Sequence, residues 1–283
     1  MDGFDERVSG IGPGLAGAGG ATPPAPGQAG KTAAVPYAPE NGGFGVGDLE
    51  FPAGWNADTP VVLNIHGGGW THLDRASWAG VAAFFVRDLK MVSFNIEYRL
   101  ASEASPWPAC GDDCLRAAEF LLSPVFAEKF GPHPRKIWIC GGSAGGHLAL
   151  WAGLNLPADR VAGIISVSGI ADPGPDIAAH PDRYRFMTGE KRQQMSPLRL
   201  IAPGGPRILQ THADQDTVVP AAAATAFADA YRAAGNPGEI LVYPHDAEPC
   251  IAGHCIWRPE SQPHRLLALI EKRIAGFVAA GGK

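Results

Sequence analysis

The sequence predicts an α/β fold built on a mostly parallel sheet with helices on both faces. Short runs of apolar β-formers alternate with segments in which apolar residues recur at helical spacing. The runs are apolar throughout, as expected for strands that helices cover on both faces. Ligands bind beyond the carboxyl ends of the strands in such sheets, so the residues that follow each strand are the first candidates for a site.

The predicted elements follow one another from Val61 to the C-terminus. The predicted strands are Val61–Ile65, Met91–Ile96, Lys136–Cys140, Val161–Val167, Arg207–Gln210 and Ile240–Tyr243. Helices are expected from Trp78 to Leu89, at Cys110–Leu122, Gly145–Leu154 and Ala221–Ala234, and in a last segment whose buried stripe contains Leu266, Leu267, Ile270, Ile274 and Phe277.

Composition divides the chain into an arm and one folded domain. Residues 9–30 are mostly Gly, Ala and Pro without a periodic apolar face, so they cannot bury enough surface to offset the entropy of ordering. We therefore predict a flexible arm over residues 1–34 and a single α/β domain over 35–283. Residues 172–203 are too long for a plain connection between strands, so we expect a cap insertion there.

Charge and cysteine content argue against several classes of partner. The net charge of −5 comes without a run of Lys and Arg, so nucleic acid is not an expected partner. No apolar stretch is long enough for a membrane span, and no signal peptide is evident, so the expected location is the cytoplasm unless a leader was removed. Among five cysteines, Cys250 and Cys255 flank a short loop and could form a bridge. Without CxxC or HxxxH spacing, no metal site is expected.

The segment KIWICGGSAGGHLAL, residues 136–150, contains the clearest chemical signal. A predicted strand runs into Gly-Gly-Ser-Ala-Gly and out into a predicted helix, which is the context of a G-x-S-x-G nucleophile elbow. The turn exposes the Ser143 hydroxyl at the end of the strand, and the N-terminus of the following helix favours developing negative charge there. We predict Ser143 as a nucleophile; the alternative is a glycine-rich strand-to-helix turn.

A second glycine-rich stretch, HGGGW, follows the strand Val61–Ile65. Backbone N–H groups can point at an oxyanion only where no side chains crowd the approach. We therefore predict an oxyanion hole made by the amides of Gly68, Gly69 and Ala144. The imidazole of His66 is expected to brace this loop rather than to transfer protons, and Trp70 is the predicted substrate-binding residue among the tryptophans Trp70, Trp107, Trp151 and Trp257.

The HGGGW and GGSAGG motifs, their order and their separation resemble those of the α/β-hydrolase superfamily. The similarity is to carboxylesterases of the hormone-sensitive-lipase-like and acetylxylan/feruloyl-esterase-like groups, and it covers the chain from about Val35 to the C-terminus. The resemblance implies catalysis without a metal or an organic cofactor. It also implies the chain order serine, acid, histidine, so the two remaining catalytic residues should lie downstream of Ser143.

The resemblance assigns the acid and the base. In THADQDTVVP it implies Asp216 as the acid, with Asp214 as the competing carboxylate that shapes the turn. His254, in a Gly-His-Cys context, resembles the family's histidine signature, with His245 and His264 as alternatives. His147, one turn after Ser143, is expected to be packed behind the site.

The predicted activity is hydrolysis of small-molecule carboxylic esters through an acyl-enzyme. Similarity of GHCIWRPESQPHRL and EYRLASEASPWPAC to bacterial esterases of acylated plant polysaccharides makes small acyl groups on saccharides the first candidate substrates. An arylformamidase or other amidase is the alternative enzyme, and a non-catalytic binding protein with a hydrolase fold is the alternative of another class. The sequence gives no prediction of oligomeric state.

Overall fold

The computed structural model describes residues 22–179, 181–187, 194–245, 254, 256–258 and 261–281. Its strands are β1 Gly30–Pro36, β2 Val46–Phe51, β3 Val61–Ile65, β4 Val92–Ile96, β5 Ile137–Gly142, β6 Val161–Val167, β7 Ile208–Ala213 and β8 Gly238–Tyr243. Its α-helices are α1 Ala79–Arg87, α2 Ala109–Leu121, α3 Pro124–Phe130, α4 Ala144–Asn155, α5 Pro173–Ala179, α6 Ala221–Ala233 and α7 Ala268–Gly281. The predicted α/β architecture is confirmed.

The strands form one eight-stranded sheet in the order β1-β2-β4-β3-β5-β6-β7-β8. The pairs from β4 through β3 to β8 are parallel, whereas β2 is antiparallel to both of its neighbours. After β3 the chain first adds β4 on one side and later β5 on the other, so the strand order reverses beside β3. Crevices outside the carboxyl ends of strands at such a reversal are where open α/β sheets bind ligands.

Two observed strands extend past their predicted ends, toward the site. β5 continues through Gly141 and Gly142 because both residues pair with Ser166 and Val167 of β6. β7 continues to Ala213, which pairs with Tyr243 of β8. The two glycines of the elbow are therefore fixed by ladder hydrogen bonds, and the turn begins only at Ser143.

The prediction of a flexible arm over residues 1–34 is wrong at its C-terminal end. β1 begins at Gly30 and pairs with β2, where Lys31 forms ion pairs with Asp48 at 3.0 Å and Glu50 at 3.1 Å. These cross-strand contacts hold an edge strand whose own composition gives little β propensity. Residues 1–21 lie outside the described part of the chain.

Two hydrophobic layers enclose the sheet. On one face, Leu63, Ile65 and Phe94 pack with side chains of α2, α3, α4 and α6. On the other face, Val62 and Leu209 pack with the buried side chains of α1 and α7. Helices on both faces explain why β3, β4 and β5 are buried at every position.

The described parts of the predicted cap segment, residues 172–203, form short helices. α5 is followed by the 3-10 helix Pro181–Tyr184, and the 3-10 helix Pro197–Leu200 precedes the return to the sheet. Tyr184, Met187 and Met195 are buried against the first hydrophobic layer. The segment therefore packs on the domain through apolar side chains.

Replacing Phe120 by alanine is expected to reduce the free energy of unfolding by about 3–5 kcal/mol, because a large buried aromatic leaves a cavity. Phe120 is 1% exposed and its ring contacts those of Phe94, Phe126 and Phe130. The matched control is Phe44→Ala, since Phe44 is 45% exposed and should change stability by no more than about 0.5 kcal/mol. Urea denaturation measures both; equal losses would contradict this view of the core.

Candidate active site

Ser143 lies at the sharp turn between β5 and α4. It is the N-cap residue of α4, with φ 53° and ψ −121°, a left-handed conformation that costs a non-glycine residue about 1–3 kcal/mol. Its own N–H donates to the Val167 carbonyl at 2.8 Å, and its carbonyl accepts from the His147 N–H at 3.1 Å. A Cβ atom at Gly145 would lie 2.3 Å from the Ile65 carbonyl oxygen, so only glycine fits there. The local sequence thus holds the serine in a strained turn.

The HGGGW loop lies directly beside this turn. β3 pairs with β5 so that Ile65 is opposite Gly141, and the two chains leave the sheet together. A Cβ atom at Gly67 would lie 2.9 Å from the Gly142 carbonyl oxygen and 3.4 Å from Cβ of Ser143. The loop backbone therefore lies close to the serine turn, with no room for a side chain at Gly67.

The conformation of this loop is unusual and is held by buried groups beneath it. Gly68, Gly69, Trp70 and Leu73 all have positive φ, at 106°, 58°, 64° and 67°. The Gly68 carbonyl accepts from the N–H groups of Thr71 and His72, and the Trp70 carbonyl accepts from that of Ala101. Two of these strained positions are not glycine, so surrounding contacts must hold the loop in place.

His66 braces the loop, as predicted. Its buried imidazole donates from Nδ1 to the Gly67 carbonyl at 2.7 Å and stacks on Tyr98 at 4.3 Å between ring centroids. Nε2 lies 3.6 Å from a Glu97 carboxylate oxygen, and Arg75 contacts the other oxygen at 2.7 Å. Burial raises the pKa of Glu97, but its contacts with His66 and Arg75 outweigh burial and lower the pKa overall. His66 is therefore occupied on the side of the loop away from Ser143.

The structure brings Asp216 and His254 together. Nδ1 of His254 lies 2.6 Å from Oδ2 of Asp216, a short charge-assisted hydrogen bond. The other carboxylate oxygen accepts from the backbone N–H groups of Val218 at 2.9 Å and Val219 at 2.8 Å. A carboxylate only accepts here, so Nδ1 carries the ring proton. The second nitrogen, Nε2, is buried and has no hydrogen-bond partner within the described part of the chain.

The competing carboxylate and the competing histidine pair with each other instead. Asp214 accepts the backbone N–H of His245 at 2.9 Å, and its side chain lies 3.3 Å from the His245 ring. These contacts, the backbone one first, lower the pKa of Asp214. Asp214 is exposed and His245 is partly exposed, and neither lines the cavity that contains Ser143 and His254. Asp214 accepts a backbone N–H, as predicted for a residue that shapes the turn.

His147 lies behind the site, as expected, and connects two parts of it. The Trp70 indole N–H donates to Nδ1 of His147 at 3.2 Å, so the ring proton is on Nε2, which donates to the Met195 carbonyl at 2.8 Å. Burial lowers the pKa of His147 to about 4. A neutral histidine therefore joins the HGGGW loop to the segment that returns from α5.

A cavity of about 300 Å³ opens at this edge of the sheet. Ser143 and His254 line it together with the HGGGW loop, and the other side chains are mostly apolar: Leu73, Ile170, Tyr184, Val218, Val219, Ile256 and Trp257. Trp70, the predicted substrate-binding residue, also lines it. Sequence reasoning did not select Trp257 or Tyr184; proximity in the chain to His254 was the available signal for Trp257, whereas Tyr184 has no local signal.

The cysteines take no part in this site where they are described. Cys110, Cys114 and Cys140 are buried and free. Burial raises the pKa of the Cys110 thiol to about 12, so it stays protonated at neutral pH. The proposed Cys250–Cys255 bridge lies outside the described residues. Within those residues, no group of three or more His, Cys, Asp or Glu side chains could hold a metal ion.

His212, which precedes the acid on β7, is a buried residue that sequence reasoning passed over. Its ring is fully buried, and burial lowers its pKa to about 4 although the nearby Asp216 acts to raise it. The imidazole is therefore neutral where the Asp216 and His254 pair forms. Its place in H-x-x-x-D was the signal that could have indicated a role beside the acid.

Comparison with known proteins points to esterases. Residues 48–168 match the family model described as BD-FAE. Esterase LipC of Mycobacterium tuberculosis is 27% identical over 62% of this chain and 48% of its own length. Kynurenine formamidase of Danio rerio is 27% identical over 55% of this chain and 52% of its own length. The chain thus spans about half the length of these curated relatives.

Solved structures share the fold. A truncated carbohydrate esterase from gut microbiota superposes with a TM-score of 0.73 over 92% of this chain and 99% of that one, at 19% identity. Native esterase 2 of Thermogutta terrifontis superposes with a TM-score of 0.62 over 78% of this chain and 83% of its own, at 26% identity.

Among the described residues, no helix combines the length and apolarity that crossing a membrane requires.

Stability is expected to fall as the pH is lowered from about 6.5 to about 4. His147 and His212 stay neutral in the folded chain down to a pKa of about 4, whereas the unfolded chain takes up these protons near pH 6.5. Each histidine therefore contributes a slope of up to about 1.4 kcal/mol per pH unit within that window. Urea denaturation at pH 7, 6 and 5 measures it.

The variant His147→Gln should reduce this slope by up to about 1.4 kcal/mol per pH unit, because one fewer proton is taken up on unfolding. His133→Gln is the matched control, because His133 is exposed and should leave the slope unchanged. A slope that is the same in wild type and His147→Gln would contradict the assignment of a neutral, buried His147.

Proposed function

We propose that this chain hydrolyses carboxylic esters of small acyl groups through an acyl-enzyme. It belongs to the α/β-hydrolase superfamily and is of the hormone-sensitive-lipase-like carboxylesterase type. The observation that supports this most directly is that Ser143 and the Asp216-paired His254 line one cavity beside the HGGGW loop. Nucleophile, base, acid and backbone donors are then available at one place.

In the acylation step, Nε2 of His254 removes the Ser143 proton while Oγ attacks the ester carbonyl carbon. The Nδ1 proton stays on the ring, because Asp216 accepts it at 2.6 Å, and the carboxylate stabilises the imidazolium that forms. Two backbone N–H groups hold the far side of Asp216, so the carboxylate cannot rotate away from the ring. The imidazolium then protonates the leaving alcohol oxygen as the C–O bond breaks.

The tetrahedral oxyanion is held by backbone amides. Gly68 and Gly69 supply them from the HGGGW loop, and Ala144 supplies a third from the first residue of α4. Each such donor is typically worth about 3–4 kcal/mol in the transition state. Water then enters, and His254 takes one of its protons as the oxygen attacks the acyl carbonyl carbon. The bond from that carbon to Oγ of Ser143 breaks, and His254 returns the proton to the serine.

The cavity supports a small acyl group. Its volume is about 300 Å³, at the lower end of the range for ligand pockets. Most of its side chains are apolar, which suits an acetyl or other short acyl chain. Carbohydrate esterases among the structural neighbours make acetylated or feruloylated saccharides the first candidates for the natural substrate.

Formamide hydrolysis is the second candidate. The kynurenine formamidase of Danio rerio matches over 55% of this chain, and a formyl group would fit the same cavity. Attack on a formanilide requires the same serine, base and oxyanion donors. Comparing hydrolysis of formanilide with that of phenyl acetate decides between the two substrate classes.

The test is turnover of p-nitrophenyl acetate by the wild type and three variants. Ser143→Ala should lose about a million-fold in kcat, since no nucleophile remains. Asp216→Asn should lose about ten-thousand-fold, because the amide no longer favours the productive tautomer. The matched control is Asp214→Asn, which removes a carboxylate two residues away that pairs with His245 instead. It should keep wild-type turnover; retained activity in Ser143→Ala would refute the proposal.

A further inference from the structure

Three aromatic residues line the cavity that contains His254. Trp257 lies three residues after the histidine and lines the cavity together with Ile256. Trp70 and Tyr184 line it from other segments, the HGGGW loop and the 3-10 helix Pro181–Tyr184. We call residues 254 and 256–258 the histidine segment. The cavity therefore has one aromatic residue from the histidine segment and two from other parts of the chain.

Trp257 is fixed before any substrate arrives. Its backbone forms a β-bridge with Leu266, and the neighbouring Arg258 forms an ion pair with Glu271 of α7 at 2.9 Å. Its ring packs edge-on against Trp78, with centroids 4.8 Å apart, and also contacts His264. Trp78 is itself held by a hydrogen bond from its indole N–H to Asn64 of β3 at 3.3 Å. An aromatic surface held in this way loses little side-chain entropy on binding.

The chemistry of the proposed reaction distinguishes two sides of the cavity. The leaving alcohol oxygen takes its proton from His254, so the alcohol departs on the side of the histidine segment. The acyl carbonyl oxygen must instead point at the amides of the HGGGW loop, and the acyl group leaves the carbonyl carbon in a different direction from the alcohol. Trp257 lies three residues after the histidine in the chain and lines the same cavity, and we therefore place it against the alcohol portion.

We propose that Trp257 is a specificity-determining residue that recognises a flat ring in the alcohol portion of the ester. This inference rests on the proposed esterase function and adds the class of alcohol. The described lining contains no Lys, Arg, Asp or Glu, so the ring is uncharged. A phenol ring and the C–H face of an acylated pyranose share this flat apolar surface, and contact with an aromatic side chain is typically worth about 0.5–1.5 kcal/mol beyond its buried area.

The experiment compares kcat/KM of variant and wild type for esters that share the acetyl group. Phenyl acetate and an acetylated methyl glucoside each present a ring, whereas ethyl acetate presents none. Trp257→Leu keeps apolar volume but removes the flat surface, and it should lower kcat/KM about 10-fold for a ring-bearing ester through KM, with less than a two-fold change for ethyl acetate. Trp257→Phe keeps a ring and should retain most of the wild-type value.

Two further arms identify the source of the effect. The ester whose kcat/KM falls in Trp257→Leu, phenyl acetate or the sugar acetate, identifies the ring that Trp257 recognises. Comparing phenyl acetate with phenyl butyrate varies only the acyl group, and Trp257→Leu should leave their ratio unchanged. The matched control is Leu73→Ala, which removes an exposed apolar side chain from the HGGGW side of the cavity and should leave the ratio of phenyl to ethyl acetate unchanged.

An equal loss for ring-bearing esters and ethyl acetate would overturn the inference, since Trp257 would then only support the fold of the histidine segment. A change confined to the ratio of phenyl acetate to phenyl butyrate would overturn it too, because Trp257 would then contact the acyl group. Absence of ester hydrolysis by the wild type would refute the proposed function itself, an outcome distinct from both. If Trp257→Leu folds poorly, Trp257→Met takes its place in the comparison, because methionine also keeps apolar volume without a flat ring.

Discussion

The parallel pairing of β3 with β5 is the constraint on which the rest of the site depends. It places Ile65 opposite Gly141, so the two chains leave the sheet at the same level. One continues as the HGGGW loop and the other as the turn at Ser143. Because the strand order reverses beside β3, a crevice opens there, and the strained turn and the strained loop face each other across it.

Buried polar groups then hold the strained backbone in place. His66 contacts the loop from below and connects it to Glu97 and Arg75. His147 receives the Trp70 N–H and donates to Met195, so the loop and the segment returning from α5 are joined through one neutral ring. Neither His66 nor His147 lines the cavity itself. These contacts hold the loop backbone in one conformation, which is what the proposed oxyanion hole requires.

Local patterns were sufficient where local forces determine the structure. The apolar run Val61–Ile65 and the glycines around Ser143 predict a strand and an elbow, because burial and close backbone approach leave few alternatives. β1 was missed because its strand character comes from pairing with β2 and from the ion pairs of Lys31, neither of which is visible in a Gly-, Ala- and Pro-rich stretch. Spacing alone could not choose between Asp214 and Asp216, since only the fold determines which carboxylate meets which histidine.

The account centres on convergence of Ser143, Asp216 and His254 on one cavity, and labelling with a fluorophosphonate tests it most directly. The reagent phosphonylates only a serine that a nearby base activates, and peptide mass spectrometry locates the adduct. We predict one adduct, on Ser143, formed at least a hundred-fold more slowly in His254→Gln but at the wild-type rate in His245→Gln. An adduct on another serine, or equal labelling rates in His254→Gln and the wild type, would contradict the account.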